Sequence, residues 1–426
     1  MDQYTQMKKS GVNWILDIPD TWGVRVLFQL ANQVRNKNKD LLEQNLLSLS
    51  YGKIKRKDIN NPEGLLPESF DGYNIIEKDD IVLRLTDLQN DHTSLRVGQA
   101  KEKGIITSAY ITLRPSGLVN PQYLYYVLHA YDLIKGFYGM GAGVRQGLNF
   151  DEVKTIKVPF PSLEEQQDIV TYLDDQVFQI DSIIEEAKLS IEEYKRWKQS
   201  IIHEAVTKGI DKTVETRDSG ISWIGRIPSH WTVRKIKNGF SIVSGATPKS
   251  DKPEYWDGDV AWITPADYKT DDKYVGAGRR NLSDEGYASC GTTIVPAGSV
   301  IFSKRAPVGT VAINQVPLCT NQGCLSCIPN ISADSEYFYY AMSVFTEQFE
   351  LFSSGTTFKE ISATAFANFS MVFPPVEEQK MIANHLSLKC SEIDSIRKEK
   401  QSLIDDMEKY KRSLIYEAVT GKRKVV

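Results

Sequence analysis

Residues 160–207 read FPSLEEQQDIVTYLDDQVFQIDSIIEEAKLSIEEYKRWKQSIIHEAVT. Residues 373–420 read FPPVEEQKMIANHLSLKCSEIDSIRKEKQSLIDDMEKYKRSLIYEAVT, displaced by 213 positions without a gap. Twenty of the 48 positions are identical, including Glu164-Glu165-Gln166 against Glu377-Glu378-Gln379 and Ile180-Asp181-Ser182-Ile183 against Ile393-Asp394-Ser395-Ile396. Such self-similarity marks an internal repeat. Within each run apolar residues recur in steps of mostly four and three: Ile169, Leu173, Ile180, Ile191 and Ile201 in the first, Ile382, Leu386, Ile393, Ile404 and Leu414 in the second. That is a heptad-type seam on a helix. Pro161 and Pro374-Pro375 stand at the starts, glutamates fill the first turns, and Gly209 and Gly421 follow the ends, as helix punctuation requires. A helix of ~46 residues is ~70 Å long, against a usual length of ~12 residues. Its seam needs a partner, and the two copies supply one another in an antiparallel intramolecular coiled coil.

A second repeated block lies outside these helices. SGVNWILDIPDTWGVR at 10–25 returns as SGISWIGRIPSHWTVR at 219–234, offset by 209. The chain is therefore two copies of a fixed frame, each holding a divergent insert of about 130 residues. The inserts carry short β-branched runs broken by Gly, Pro and Asn, such as IVPAGSVIFSKRAPVGTVAIN at 294–314, and one helical stretch each, PQYLYYVLHAYDLIKGFY at 121–138 and SEYFYYAMSVFTEQFELF at 335–352. The class is α+β: two mixed α/β domains, at 1–161 and 209–374, joined by helical spacers at 162–208 and 375–426. If the helices run antiparallel, each exit meets the Trp-containing block of the next copy, and the repeats are related by a pseudo-two-fold axis.

Composition sets the outer bounds. Hydrophobic residues make up 41% of 426 and charged residues 25%, an ordinary globular balance for two or more domains. No apolar run reaches the ~18 residues of a membrane span and no signal-peptide core is evident, so a cytoplasmic location is expected. The net charge of −4 argues mildly against nucleic acid, but it is uneven: residues 162–208 alone carry −6. Cys290, Cys319, Cys324, Cys327 and Cys390 are an odd set, read as reduced thiols; the CxxC at 324–327 lacks a fourth zinc ligand.

Catalytic signatures are missing. There is no phosphate-binding GxxxxGK[ST] loop, no Asn-Pro-Pro-aromatic tetrad, no GxSxG and no HExxH. The glycine-rich GMGAGVRQG at 139–147 follows a helix rather than a strand. Basic and amide groups are more telling. Lys53, Lys55, Arg56 and Lys57 crowd into YGKIKRK, Arg279-Arg280 and Lys304-Arg305 punctuate the second insert, and Arg145 and Lys359 lie in the glycine-containing loops after the insert helices. Such groups neutralise phosphates, and arginine pairs bidentately with guanine. Thr247, Thr264, Asp267 and Gln322, with Asn314 and Asn321, fall near strand ends, where they could meet base edges. Two divergent readers on a rigid spacer suit a split DNA site.

At this point the sequence resembles the specificity subunits of type I restriction-modification systems. The resemblance rests on the two SGxxWIxxIPxxW blocks, SGATPKSDKPEYWDGDVAWITPADY, IVPAGSVIFSKRAPVGTVAIN, TNQG and the two FPxxEEQ helix starts, which together span nearly the whole chain. It implies two target recognition domains reading a bipartite, asymmetric double-stranded DNA target, with the helices setting the spacing and docking two methyltransferase subunits. It also implies restriction subunits, a bacterial or archaeal host and nucleoid association, with no catalytic activity in the chain itself. No cofactor is then bound directly; S-adenosylmethionine, ATP and Mg are expected on partner subunits. YGKIKRKDINNPEG replaces the SGATP…YWDG segment in the first insert, which points to a different recognition-domain subtype. A coiled-coil scaffold that binds protein only is the alternative.

Overall fold

The two FPxxEEQ segments begin helices Leu163–Lys208 and Val376–Val419, of 46 and 44 residues. The computed structural model describes residues 4–60, 69–91, 93–140, 147–305, 307–354 and 359–425. The chain divides into two units, Met1–Lys188 with Gln401–Val426, and Leu189–Lys400. Each unit thus takes half of each long helix.

In the first unit, strands Ala31–Gln33, Ile111–Pro115, Ile81–Leu83 and Val97–Gln99 form an antiparallel sheet in that order. The Asn120 side chain caps helix Pro121–Leu133 by accepting from the N–H groups of Gln122 and Tyr123. In the second unit the sheet order is Phe240–Ser244, Cys324–Pro329, Val300–Ser303, Val311–Asn314 and Tyr274–Val275, antiparallel except for the last pair. Asp334 caps helix Ser335–Ser343 in the same manner. The architecture is the expected α+β one.

The frame repeats bond for bond. Buried Gln166 accepts from the Asn120 N–H at 2.8 Å and donates to the Pro161 carbonyl at 3.0 Å. Buried Gln379 accepts from the Asp334 N–H and donates to Pro374, both at 2.8 Å. The hydroxyl of buried Tyr123 donates to the carbonyls of Pro159 and Val419, and that of Tyr337 to those of Val372 and Val206. These two tyrosines clamp the end of one long helix to a frame strand.

Within each unit the helix halves run antiparallel. In the first, Tyr172 meets Arg423 and Asp181 meets Lys411 at 2.8 Å; in the second, Tyr194 lies beneath Lys400 and Lys198 meets Asp394 at 2.6 Å. As one number rises the other falls, which is coiled-coil pairing with opposed directions. The Asp181–Lys411 and Asp394–Lys198 pairs are repeat equivalents. Ile169, Leu173, Ile180, Ile382, Leu386, Ile393, Ile404 and Leu414 are buried in the seam. Ile191 and Ile201 are only partly buried, and Ile202 takes the inner position. Their repeat equivalents Ile404 and Leu414 are buried, so the same heptad phase is covered differently in the two units.

The helix ends dock as the repeat requires. Gly209, at φ +74°, lies against Trp231, and Gly421, at φ +69°, lies against Pro19 and Trp22. A Cβ on Gly421 would sit 2.3 Å from Pro19 Cδ, so only glycine allows that approach. Tyr416 donates to the Trp14 carbonyl at 2.8 Å. All five cysteines are unpaired and four are buried. Burial pushes the Cys319 and Cys390 thiols up to about 11, so they stay protonated at neutral pH. No helix among the described residues is long and apolar enough to cross a membrane, and no metal-ligand cluster occurs among them.

Candidate nucleic-acid interface

In the first unit the basic run forms a hairpin. Strand Leu47–Ser50 pairs with Lys53–Arg56 through Tyr51-Gly52, both at positive φ, the two-residue turn whose twist suits a hairpin. Strand alternation then sorts the side chains. Leu47, Leu49 and Ile54 face the core cluster, and a Cβ on Gly98 would collide with Leu49, so the hairpin lies tightly on strand Val97–Gln99. On the other face Ser48 stands opposite Lys55 and Ser50 opposite Lys53. This face is a ladder of hydroxyls and ammonium groups suited to phosphate oxygens.

Arg56 belongs to the other face and is tied to Glu102 by Nε–Oε1 at 2.7 Å and by a second contact through Nη2. Hydrogen bonding from Arg56 holds the Glu102 carboxyl below the usual carboxylate range. Lys57 follows the strand and its N–H donates to the Leu46 carbonyl. Arg145 lies outside the described residues.

The second unit gathers most of the remaining candidates at one end of its sheet strands. Strand Phe240–Ser244 runs into Gly245-Ala246-Thr247, which crosses the TNQG segment at 320–323. A Cβ on Gly245 would be 2.2 Å from the Thr320 and Asn321 carbonyl oxygens. Only glycine permits this crossing, and it brings the Thr247 hydroxyl onto Gln322. The Lys304 N–H donates to the Gly323 carbonyl at 2.9 Å, which joins Lys304-Arg305 to the same end of the strands.

The Thr264-Pro265-Ala266-Asp267 turn is adjacent, since Gly323 abuts Pro265. Asp267 is almost wholly enclosed: Oδ2 accepts from the Thr264 N–H and hydroxyl at 2.8 and 2.7 Å, and Oδ1 accepts from the Arg279 N–H at 3.1 Å. Its carboxylate is occupied in fastening 264–267 to 278–279. The Arg279 side chain is 78% exposed yet lies along this turn, its Nη2 donating to the Ala266 carbonyl at 3.0 Å and its Nε 3.6 Å from Asp267. Arg280 lies 4.1 Å over the Trp256 ring, a cation held on an aromatic face.

Glu360 anchors both Lys304 Nζ, at 3.0 Å, and Arg305 Nε, at 2.9 Å. Burial pushes its pKa up, but the hydrogen bonds and charges of Lys304 and Arg305 outweigh that and hold the carboxyl below its ordinary range. Lys359 is paired with Glu350 at 3.0 Å. The structure thus brings Thr247, Thr264, Asp267, Lys304, Arg305 and Gln322 into one cluster. Lys359 stands next to it in sequence through Glu360.

Two features escaped the sequence reading. The alternation in LLSLSYGKIKR, with Tyr-Gly as the turn, carries the signal for the Ser48–Ser50 face. Glu360 as a double anchor has no local signal, because its partners are 55 and 56 positions away.

Comparison with known proteins adds to this geometry. The family model described as the type I restriction modification DNA specificity domain matches twice, at residues 19–193 and 228–404. The type I restriction enzyme MjaIX specificity subunit of Methanocaldococcus jannaschii is 37% identical over 183 residues, a match that spans 42% of each chain, less than half of that relative's length. The putative MjaX specificity subunit of the same organism is 26% identical over 403 residues, 91% of each chain. Among solved structures, a chain from work on complex assembly and conformational transition of the type I R-M system aligns with a TM-score of 0.71 at 14% identity, covering 94% of this chain and 98% of that one. The HsdS subunit from Thermoanaerobacter tengcongensis aligns with a TM-score of 0.52 at 14% identity, covering 95% and 98%. These two likenesses are of fold.

Proposed function

The chain belongs to the type I restriction-modification DNA specificity family, and on that premise we propose that it selects a bipartite, asymmetric DNA target for a type I restriction-modification enzyme. Each unit reads one half-site, and the paired helices set the distance between half-sites and dock two methyltransferase subunits. The observation that carries this reading is the contrast within the chain. The frame repeats down to single hydrogen bonds, at Gln166 and Gln379 or Tyr123 and Tyr337, while the inserts between carry different polar surfaces. A duplicated frame suits two copies of one partner, and divergent inserts suit two different base sequences.

The chain performs no chemistry in this reading. Methyl transfer from S-adenosylmethionine belongs to the methyltransferase subunits, and ATP- and Mg-dependent cleavage to restriction subunits, in a complex that works at the nucleoid. The acidic first helix suits a protein partner better than phosphates, so much of the nonspecific DNA affinity comes from the partners.

Methylome sequencing of the host with this chain present and deleted tests the proposal, together with salt-dependent duplex binding by the chain with and without a methyltransferase partner. The expected result is one split motif that loses methylation on deletion, and a sequence preference in the assembled complex. A complex that prefers no duplex sequence would leave a protein-binding scaffold instead. Methyl transfer by the purified chain alone would reassign the chemistry.

A further inference from the structure

Within the second unit, the helix segments 195–202 and 387–398 and the domain segments 270–273 and 339–344 converge around a cavity of about 690 Å³. That lies in the range of small-ligand sites. Lys195, Lys198, Lys273, Arg397 and Lys398 line it, against only two carboxylates, Asp271 and Asp394. Several of these cations are already engaged. Asp394 takes Lys198 at 2.6 Å and Arg397 Nη1 at 3.0 Å. Lys273 is held by Glu336 and lies 3.3 Å from the Tyr340 hydroxyl, and Lys195 reaches Glu192 at 2.6 Å.

What remains is directional. Arg397 Nε is buried and has no hydrogen-bond partner. Its Nη2 lies 3.8 Å from Asp271, beyond hydrogen-bond reach. Lys398 is exposed at the rim. A buried guanidinium N–H without an acceptor costs free energy unless an acceptor arrives, and the guanidinium fork matches a phosphate oxygen pair. The serine hydroxyls of Ser387 and Ser391 add donors on the same wall.

The repeat provides an internal control. At the 213-residue offset, Lys195, Arg397 and Lys398 correspond to Glu408, Ile184 and Glu185, while the Lys198–Asp394 pair corresponds to Lys411–Asp181. The Tyr339-Tyr340 pair also has its counterpart in Tyr125-Tyr126. The first unit folds the same frame with Ile184 buried in place of the arginine. These three cations are therefore not needed by the frame.

We infer that this cavity binds a phosphate-bearing anion, with Arg397 and Lys398 as its recognising residues. The phosphate comes either from a free polyphosphate or from a DNA backbone. Calorimetric titration of the full chain with inorganic pyrophosphate, alone and in the presence of a duplex, tests this. Pyrophosphate should bind once per chain. The double substitution Arg397→Ile/Lys398→Glu installs what the first repeat carries, and it should weaken binding at least about tenfold with an unchanged circular dichroism spectrum. Lys398→Glu alone, at an exposed position, keeps the test open if the double variant does not fold, and it too should weaken binding. Displacement of pyrophosphate by the duplex assigns the site to backbone phosphate; simultaneous binding assigns it to a free anion. The inference fails if millimolar pyrophosphate does not bind the unsubstituted chain, or if a folded variant binds it equally well.

Discussion

Gln379 is fully buried where the second long helix starts. It joins the helix to the recognition domain by accepting from the Asp334 N–H and donating to the Pro374 and Ser332 carbonyls. Each buried polar group left without a partner costs about 1–3 kcal/mol. Gln379→Ala should therefore lower stability by about 2–4 kcal/mol, and Gln166→Ala by a similar amount; a loss below about 1 kcal/mol in denaturant unfolding would contradict this. Two buried titratable groups on helix Pro121–Leu133 make opposite predictions for pH. His129 is pushed down to about 4 by burial, with Lys411 and Arg412 adding to the shift and Asp181 opposing it. The unfolded chain binds that proton more tightly, so the stability due to neutral His129 is present above pH 6.5 and is lost as pH falls toward 4. Asp132 is pushed up to about 6 by burial, against the Arg96 N–H, Lys135 and Arg96. Here the folded state holds the proton, so its contribution is full below 3.8 and is lost as pH rises through 6. Between pH 4 and 6 the two slopes oppose, each about 1.4 kcal/mol per pH unit at most. Asp132→Asn should unmask a stability that rises with pH in this window, and His129→Gln one that falls. Thermal midpoints across pH 4–7 for the two variants decide it, and parallel curves would refute the assignment.

At the scale of elements, the seam divides into positions that hold the helices and positions that only lie near them. Ile393 is 2% exposed, so Ile393→Ala should cost about 2–4 kcal/mol by leaving a cavity. Ile201 is only partly buried, and Ile201→Ala should cost about 1 kcal/mol or less. Equal losses in equilibrium unfolding would mean that burial does not rank the seam. The helices themselves were fully legible in the sequence, since uninterrupted heptads, Pro starts and Gly ends are local signals read over many turns. The shift from Ile201 to Ile202 was not, because the same phase in the second helix, at Leu414, is fully buried, so the difference is set by what packs on each helix and not by its own spacing. In the candidate interface, the Thr-Pro-Ala-Asp pattern carries the capping signature that explains why Asp267 is enclosed. The basic clusters were visible as composition. Their anchoring was not: Glu360 reaches Lys304 and Arg305 only after the sheet has folded, and the Thr247–Gln322 contact depends on the Gly245 crossing.

At the scale of the whole molecule, the proposed division of labour separates which bases are read from how far apart they lie. If each insert reads its own half-site, exchanging residues 26–150 for those of a relative that keeps Asn120 and Tyr123 should change one half-site and leave the other, since the second insert and both long helices are untouched. If the helices set the distance, shortening them should change spacing alone. Residues 182–188 and 406–412 occupy facing stretches of the two helices within the first unit, next to the Asp181–Lys411 contact, whose lysine belongs to the second stretch. Removing both sevens preserves the heptad phase on each helix and takes away about 10.5 Å of length, or roughly three base pairs of duplex at 3.4 Å each. Methylation mapping should then find both half-sites with their bases unchanged and the gap between them about three base pairs shorter, or no methylation where DNA geometry forbids the new phase. Altered bases at an unaltered spacing would contradict the assignment of recognition to the inserts and distance to the helices.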